Sequence, residues 1–148
     1  MEVPYQMKEV FLSYAFSFLY QGVPYIWGSN SRFGVNGGLD CSGFVCEVLR
    51  SVTPTVRDNT AHGLFTYYVV EGNQLFNKDR PQRGDLLFFG TYDRITHVAI
   101  ALNQYQMLEA GGGGRTCKSP DEAHRLNAGV RIRMVDSRRD FYTASTIF

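Results

Sequence analysis

The stretch at residues 39–45, LDCSGFV, constrains the fold of this chain most, because it places a cysteine directly before an apolar run. Asp40 is typical of a helix N-cap, and Gly37 and Gly38 ahead of it are typical of a loop. The apolar residues that follow recur at the spacing of one helix face: Phe44, Val45, Val48, Leu49 and Val52. We therefore predict a helix whose first turn contains Cys41.

A cysteine in the first turn of a helix lies in a special electrostatic environment. The backbone N–H groups there are unpaired and the helix dipole is positive, and both favour the thiolate, which is the nucleophilic form. A single cysteine is also commonly a small buried hydrophobic residue. The stretch alone therefore leaves both interpretations of Cys41 open, a nucleophile and a core residue.

A candidate base for such a nucleophile lies in the run THVAIAL at residues 96–102, which has the character of a β-strand. On a strand, His97, Ala99 and Ala101 share one face, and we expect the Cys41 helix to pack closely on these small residues. A second strand at 106–110 follows a short turn, and the register of such a hairpin predicts Glu109 nearly opposite His97. A carboxylate at that position can hold one imidazole tautomer and stabilise the imidazolium.

Four segments together resemble the NlpC/P60 cysteine peptidases: PYIWG at 24–28, DCSGFV at 40–45, RGDLLFF at 83–89 and HVAI at 97–100. They occur in the family's order and cover roughly residues 6–135. The resemblance implies an α+β fold with a papain-like core, in which N-terminal helices pack on a mainly antiparallel sheet of about five strands. The third catalytic position of the family is most often His, whereas the matching residue here is Glu109.

The resemblance also implies a role for each residue of the site. Cys41 would attack an amide carbonyl, His97 would take up and return the proton, and Glu109 would orient His97. The backbone N–H of Cys41, with the Tyr25 hydroxyl as a further donor, would stabilise the oxyanion. Tyr25, Asp40 and Ser42 would lie near the free amine end of a peptide, although Asp40 and Ser42 are equally suited to capping a helix. Trp27 is interpreted as a substrate contact or as an aromatic anchor of its loop.

The substrate implied by the resemblance is a peptidoglycan stem peptide, cleaved at the γ-D-glutamyl to diamino-acid amide. Cleavage of a D,D-crosslink or an amidase-type cut stays open at this point. Two other classes of function are also open. One is an acyltransferase on the same scaffold, and the other is a structural or wall-penetrating component of a phage tail tip.

Composition fits one globular domain and excludes several other classes of protein. The chain has 148 residues, of which 44% are hydrophobic and 20% charged, without repeats or a linker, so we expect a single domain over 1–148. A formal net charge of +1 gives no electrostatic basis for a nucleic-acid partner. No apolar run approaches the ~20 residues of a membrane span.

The sequence does not begin with the basic-then-apolar pattern of a secretory signal. We therefore leave the localisation open between a protein not exported by that route, release by phage lysis or a secretion machine, and assembly into a phage particle. A phage tail or a secretion machine is accordingly a candidate partner.

The cysteines predict neither a metal site nor a disulfide framework. Cys41, Cys46 and Cys117 form no metal-binding spacing and no even set, and the histidines show no ligand spacing with them. We expect no metal and no cofactor. Cys46 is expected to point away from Cys41 and to be buried.

The remaining segments are given structural interpretations. We predict an amphipathic helix at 7–20, a helical or mixed segment at 61–70, irregular structure at 74–80 and strands at 86–89, 130–135 and 142–148. The glycine run at 111–114 is interpreted as a mobile rim of the cleft, and 115–128 as a polar excursion that holds Cys117 and His124.

Four further polar residues are given ordinary roles. Arg32, in a polar loop at 29–38, and Arg131 are interpreted as solvated side chains. Asp85 is interpreted as a structural hydrogen-bonding residue, and His62 as an ordinary residue, with contact to the cleft as the lesser alternative.

Overall fold

The computed structural model describes residues 3–31, 37–72, 76–78 and 80–148, with side chains over 6–31, 37–72 and 80–148. Its α-helices are α1 (Val3–Tyr20), α2 (Cys41–Leu49), α3 (Ala61–Phe65) and α4 (Pro120–Leu126). Its strands are β1 (Asn30–Ser31), β2 (Gly38–Leu39), β3 (Phe76–Lys78), β4 (Leu86–Thr91), β5 (Arg94–Ala101), β6 (Gln106–Gly111), β7 (Gly129–Met134) and β8 (Phe141–Thr146). Arg32 lies outside the described residues, so its interpretation stays a prediction.

The main sheet is antiparallel throughout and has the strand order β3-β8-β4-β5-β6-β7. Five of its strands have six or eight residues, and β3 is a three-residue edge strand. The short strands β1 and β2 pair with each other and lead into α2. The predicted α+β fold, with helices beside an antiparallel sheet of about five strands, is confirmed, whereas the single-domain extent stays a prediction.

The first helix ends where the sequence predicts it, although it begins earlier, at Val3. Gly22 has φ 64°, and the N–H groups of Gly22 and Val23 donate to the carbonyls of Leu19 and Phe18 at 3.1 and 3.2 Å. This pattern is the Schellman motif, for which the left-handed conformation of glycine is suited. Phe18 is fully buried, and its ring packs edge-on against that of Phe44 at 5.6 Å, so this turn fixes α1 against α2.

The two faces of β5 pack with different partners, and this corrects one expectation. Val98 and Ile100 belong to the main core together with the buried apolar residues of α2. Ala99 and Ala101 lie in a second cluster on the other face. The prediction that the body of the Cys41 helix packs on the alanine face is therefore wrong. Valine and isoleucine offer more apolar area to bury than alanine does, so α2 covers their face.

The segment at 115–128 is more ordered than a polar excursion, because it contains α4. Ser119 caps this helix by accepting from the N–H of Glu122 at 3.2 Å, Pro120 occupies its first turn, and Asn127 ends it at φ 53°. These are helix signals, but the helix has only seven residues and buries only Ala123, so apolar periodicity could not reveal it.

Three smaller predictions are settled in the same way. The mixed segment at 61–70 is confirmed, since α3 continues into a π-helical segment at Thr66–Val70. Asp85 is confirmed as a structural residue, because its carboxylate accepts from the N–H of Gln82 at 2.7 Å and from the hydroxyl of Thr146 at 3.2 Å. The expectation of irregular structure at 74–80 is wrong at Phe76–Lys78, which pairs with β8.

Among the described residues, no helix combines the length and the apolar character that crossing a membrane requires.

Candidate active site

Cys41 is the first residue of α2, and the residues around it hold the start of that helix. The Asp40 side chain accepts from the N–H of Gly43 at 2.7 Å and from the hydroxyl of Ser42 at 3.3 Å. Gly43 leaves room for this cap, because a Cβ there would lie 2.9 Å from Asp40 Oδ1 and 2.5 Å from the carbonyl of Ser29. The first-turn position predicted for Cys41 is therefore confirmed.

The other two cysteines lie in different environments. Cys41 is partly exposed, whereas Cys46 and Cys117 are buried. Burial raises the pKa of the Cys46 thiol to about 11, and burial also raises the pKa of Cys117. Both thiols are therefore protonated near neutral pH and are inaccessible to reagents, whereas Cys41 is accessible from the cleft.

His97 reaches the cleft from β5 at an irregular point of the sheet. Phe89 pairs with His97 and Gly90 with Ile95, so Thr96 is an extra residue on β5. Such an insertion is a β-bulge, which changes the direction of the side chains that follow. His97 is 6% exposed, its ring hydrogen-bonds to Glu109, and it lines the same cleft as Cys41.

Glu109 binds the His97 ring from the neighbouring strand. His97 Nε2 lies 2.7 Å from Glu109 Oε1, and both side chains are buried. Ile100 pairs with Leu108, so Glu109 lies on the face of β6 that matches the His97 face of β5, displaced along the strand. This is the near-opposite placement that the hairpin predicts. Because Glu109 holds Nε2, the other ring nitrogen, Nδ1, is left for Cys41.

The charges of this cluster stabilise one another. Burial disfavours the charged imidazole of His97, but its hydrogen bonds to Cys41 and Glu109, and the charges of those groups, raise its pKa to about 9. Burial alone would raise the pKa of Glu109, yet His97 and Arg131 lower it to about 2. Near neutral pH the pair is therefore an imidazolium and a carboxylate, which is the form that supports an adjacent thiolate.

Arg131 is the residue of this cluster that sequence reasoning missed. Its Nε donates to Glu109 Oε2 at 2.9 Å, and the register of β6 and β7 pairs Glu109 directly with Arg131. The interpretation of Arg131 as a solvated side chain is therefore wrong. The signal that could have found it is the cross-strand position of an arginine and a glutamate, which requires knowing the register of the two strands.

The glycines at 111–113 are packed against the site. A Cβ on Gly111 would lie 2.7 Å from Glu109 Oε2, and one on Gly112 would lie 2.6 Å from a terminal nitrogen of Arg131. A Cβ on Gly113 would lie 2.6 Å from the ring of Tyr25 and 2.5 Å from Cys117. Their role, beyond forming a rim of the cleft, is to leave room for the Glu109–Arg131 pair and for Tyr25.

Tyr25, Trp27, Asp40 and Ser42 all line the cleft with Cys41. Tyr25 is 6% exposed, and burial, followed by the nearby charge of Cys41, raises the pKa of its hydroxyl above the usual range. It is therefore a neutral hydrogen-bond donor beside the cysteine. Trp27 is 45% exposed, and the guanidinium of Arg115 lies 5.7 Å from its ring centroid, so it forms part of the wall and not of the core.

The cleft has a volume of about 590 Å³, a size that suits a short peptide or another small ligand. His62 also lines it, and its Nδ1 accepts from the backbone N–H of Ile95 at 3.1 Å. Contact with the cleft, the lesser alternative for His62, is therefore the arrangement that is observed. Over the part of the chain that the structure describes, no three His, Cys, Asp or Glu side chains form a group that could hold a metal ion.

A sequence model described as the NlpC/P60 family matches residues 22–134, which contain every residue of the site. The chain belongs to the NlpC/P60 family. The chain is similar to the probable endopeptidase p60 of Listeria grayi, with 32% identity over 93 residues, or 63% of this chain and 16% of that protein. Dipeptidyl-peptidase 6 of Lysinibacillus sphaericus is 34% identical over 111 residues, or 72% of this chain and 35% of that protein.

A solved NlpC/P60 structure, the domain of the peptidoglycan hydrolase SagA, superposes with a TM-score of 0.59 at 26% identity. The match covers 95% of this chain and 98% of that domain. The chain therefore matches nearly the full length of that NlpC/P60 domain, whereas it spans between 16% and 35% of the length of four curated relatives.

Proposed function

We propose that this NlpC/P60 protein hydrolyses an amide bond in the stem peptide of peptidoglycan, with Cys41 as the nucleophile. One observation carries the proposal. A single buried imidazole, that of His97, lies in one cleft with Cys41, whose side chain raises its pKa, and hydrogen-bonds at 2.7 Å through Nε2 to Glu109. Nucleophile, base and orienting group in that order are the arrangement that activated cysteines require.

The arrangement supports a two-step reaction. The sulfur of Cys41 attacks the carbonyl carbon, and the oxyanion accepts hydrogen bonds from the Cys41 N–H and the Tyr25 hydroxyl. The His97 imidazolium gives its proton to the leaving amine as the C–N bond breaks, which leaves a thioester on Cys41. Neutral His97 then takes a proton from water, the hydroxide displaces the sulfur, and a carboxylic acid is released. Glu109 holds the orientation of His97 through both steps and stabilises its imidazolium form.

Asp40 and Ser42 are proposed to receive the amine end of the substrate. The carboxylate of Asp40 is largely buried, and burial raises its pKa in spite of hydrogen bonds from Gly43, Ser42 and Gly28. Among the described residues, none of the groups that hydrogen-bond to it is a cation. A substrate ammonium group would supply the missing charge, and the hydroxyl of Ser42 would add a hydrogen bond.

The bond that fits this placement is the γ-D-glutamyl to diamino-acid amide, two residues from a free amine. The names of the relatives are consistent with peptide bonds of this kind, since they include an endopeptidase and a dipeptidyl-peptidase. Tyr25 and Trp27 would flank the peptide, Tyr25 beside the reacting carbonyl and Trp27 at the wall. The whole chain, residues 1–148, is proposed to form one such catalytic domain.

Purified sacculi incubated with the protein test the proposal, with products identified by mass spectrometry. We expect soluble muropeptides with new amine and carboxyl ends, and none from Cys41→Ala, since alanine is tolerated in a first helical turn. Cys46→Ala is the matched control and should retain activity. Products that carry an added amine or alcohol in place of a new carboxylate would contradict hydrolysis and support acyl transfer. Binding without release would contradict it in favour of a structural role.

A further inference from the structure

We propose that His62 is a positioning residue for His97, acting through the β-bulge that precedes His97 on β5. The inference rests on the proposed role of His97 as the base. It concerns a side chain of α3, 35 residues before His97 in the sequence, that contacts neither Cys41 nor Glu109 among the interactions of the described residues.

The bulge decides which face of the sheet carries His97. In a regular strand, residues two apart share a face. Ile95 and His97 do not, because Thr96 is the extra residue between the pairs Gly90–Ile95 and Phe89–His97. Ile95 joins the main core and is 4% exposed, whereas His97 turns to the cleft. Without the bulge, one of these two side chains would lie on the wrong face.

Gly90 permits this bulge from the opposite strand. Its φ is +126°, a conformation that favours glycine. A Cβ at Gly90 would lie 2.4 Å from the carbonyl oxygen of Arg94 and 3.1 Å from the backbone nitrogen of Thr96. The local path of β5 therefore depends on a close approach of the β4 and β5 backbones, for which Gly90 leaves space. Glycine has no side chain that could hold the bulge by a hydrogen bond.

His62 supplies that hydrogen bond. The backbone N–H of Ile95 donates to His62 Nδ1 at 3.1 Å, so it points toward α3, whereas strand amides normally point along the sheet to a neighbouring strand. The start of α3 is itself held, because the Thr60 hydroxyl accepts from the N–H of Gly63 at 2.9 Å. The His62 ring packs at 5.9 Å from the ring of Phe65, which is fully buried. A helix anchored in the core thus fixes the backbone two residues before His97.

The test compares variants that keep or remove the acceptor. His62→Phe keeps an aromatic ring but cannot accept from Ile95, whereas His62→Asn and His62→Gln keep a side-chain oxygen. His124→Phe is the matched control, since His124 is an exposed histidine of α4 that does not line the cleft. We expect His62→Phe to lower kcat roughly ten- to a hundredfold with KM unchanged, the effect of a misplaced catalytic group. His62→Asn or His62→Gln should recover most of that loss.

A second readout needs no peptidoglycan, so it separates this inference from the proposed function. The rate of Cys41 alkylation by iodoacetamide is measured at about pH 6.5, where His97 is charged, and at about pH 10, where His97 is neutral. His62→Phe should slow alkylation severalfold at the lower pH and leave it unchanged at the higher one. A merely structural effect on access to Cys41 would change both rates.

Three results would overturn the proposal. One is a His62→Phe protein whose kcat equals that of wild type and whose alkylation rates at the two pH values stand in the wild-type ratio. Another is a raised KM with unchanged kcat, which would make His62 a substrate contact. The third uses the wild-type protein and decides even if His62→Phe fails to fold. The Ile95 amide should be protected from hydrogen exchange, and exchange at the rate of an exposed, unbonded amide would show that the hydrogen bond does not hold the bulge.

Discussion

At the scale of single residues, Glu109 has two partners, and its variants should separate their effects. Glu109→Ala removes the acceptor for His97 and leaves Arg131 without its carboxylate, so we expect kcat to fall roughly 10²- to 10⁴-fold with little change in KM. Glu109→Gln keeps an acceptor without the charge and should retain part of the rate. Steady-state kinetics decide, and a wild-type kcat in Glu109→Ala would leave His97 without its proposed orienting group.

Arg131 allows a matched comparison on the same strand. Arg131→Ala should raise the pKa of Glu109 from about 2 toward its ordinary value, because one of the two groups that lower it is gone. The acid limb of the kcat profile should then move to higher pH. Arg133→Ala is the control, since Arg133 is exposed and two residues away on β7. Identical acid limbs in the two variants would contradict a role for Arg131.

The residues of the site differ in how far the sequence reveals them. Cys41 has a helix pattern after it, and the pairing of His97 with Glu109 follows from one short hairpin, so local spacing is sufficient for all three. Arg131 lies 22 residues beyond Glu109, and its partner is set by the register between β6 and β7. Register of that kind depends on the packing of the whole sheet, which local periodicity does not contain.

At the scale of elements, the end of β6 should be sensitive to the addition of a single methyl group. Gly111 has no unusual backbone conformation, but a Cβ there would lie 2.7 Å from Glu109 Oε2. Gly111→Ala should therefore displace the Glu109 carboxylate and lower kcat by about tenfold or more, since a small misplacement near the base is costly. Enzyme kinetics measure the change in kcat, and a thermal unfolding curve measures any change in stability.

Gly114 provides the control from the same glycine run. It has φ +64° and nothing within 4 Å of an added Cβ, so Gly114→Ala should lower stability through backbone strain, by about 1 kcal/mol, and leave kcat unchanged. A Gly111→Ala protein with the same kcat as Gly114→Ala would show that the carboxylate tolerates the methyl group.

The elements that sequence patterns did not predict share one property, which is that few apolar residues define them. Helix α4 buries only Ala123, and its start depends on the cap formed by Ser119. The bulge at Thr96 has no periodic signature at all, because it is a break in the period. The position of α2 was predicted wrongly for a different reason. Both faces of β5 are apolar, and the helix packs on the face that carries the larger residues.

At the scale of the whole molecule, the buried pair should make stability depend on pH in a window that its pKa values define. The pKa of His97 is raised from 6.5 to about 9, so its stabilisation is complete below 6.5 and is lost as pH rises through 9. The pKa of Glu109 is lowered from 4.5 to about 2, so its stabilisation is present above 4.5 and is lost as pH falls through 2.

The contribution of this pair to the free energy of unfolding should therefore be highest between about pH 4.5 and 6.5. The dependence on pH corresponds to about 3 kcal/mol for each group, and the two values are not added because the His97–Glu109 interaction contributes to both. Cys41 adds to the shift of His97, and Arg131 adds to that of Glu109, so these residues contribute to the dependence on pH as well. Denaturant unfolding over a pH series measures it, with His97→Gln expected to flatten the alkaline limb and Glu109→Gln the acid limb. If the free energy of unfolding depends on pH in the same way in wild type and both variants, the groups responsible lie elsewhere in the molecule.

The charge of the cleft differs from that of the molecule, whose formal net charge is only +1. Four arginines line the cleft, and two of them are paired within it, Arg131 with Glu109 and Arg138 with Asp140. Over the chain that the structure describes, Arg94 and Arg115 form no ion pair with a carboxylate. Two exposed arginines in the same cleft as Cys41 favour a substrate that carries carboxylate groups of its own.

We therefore expect Arg115→Ala to raise KM about three- to tenfold for stem peptides that keep a free side-chain carboxylate on the diamino acid, with kcat unchanged. Peptides that carry lysine, or an amidated carboxylate, should show little change. The wild-type preference should shrink at high salt, because exposed charges are screened. Arg125→Ala is the matched control, since Arg125 is an exposed arginine of α4 that pairs with Glu122 outside the cleft. An equal rise in KM for charged and amidated peptides would mean that Arg115 acts by packing on Trp27 and not by binding a carboxylate.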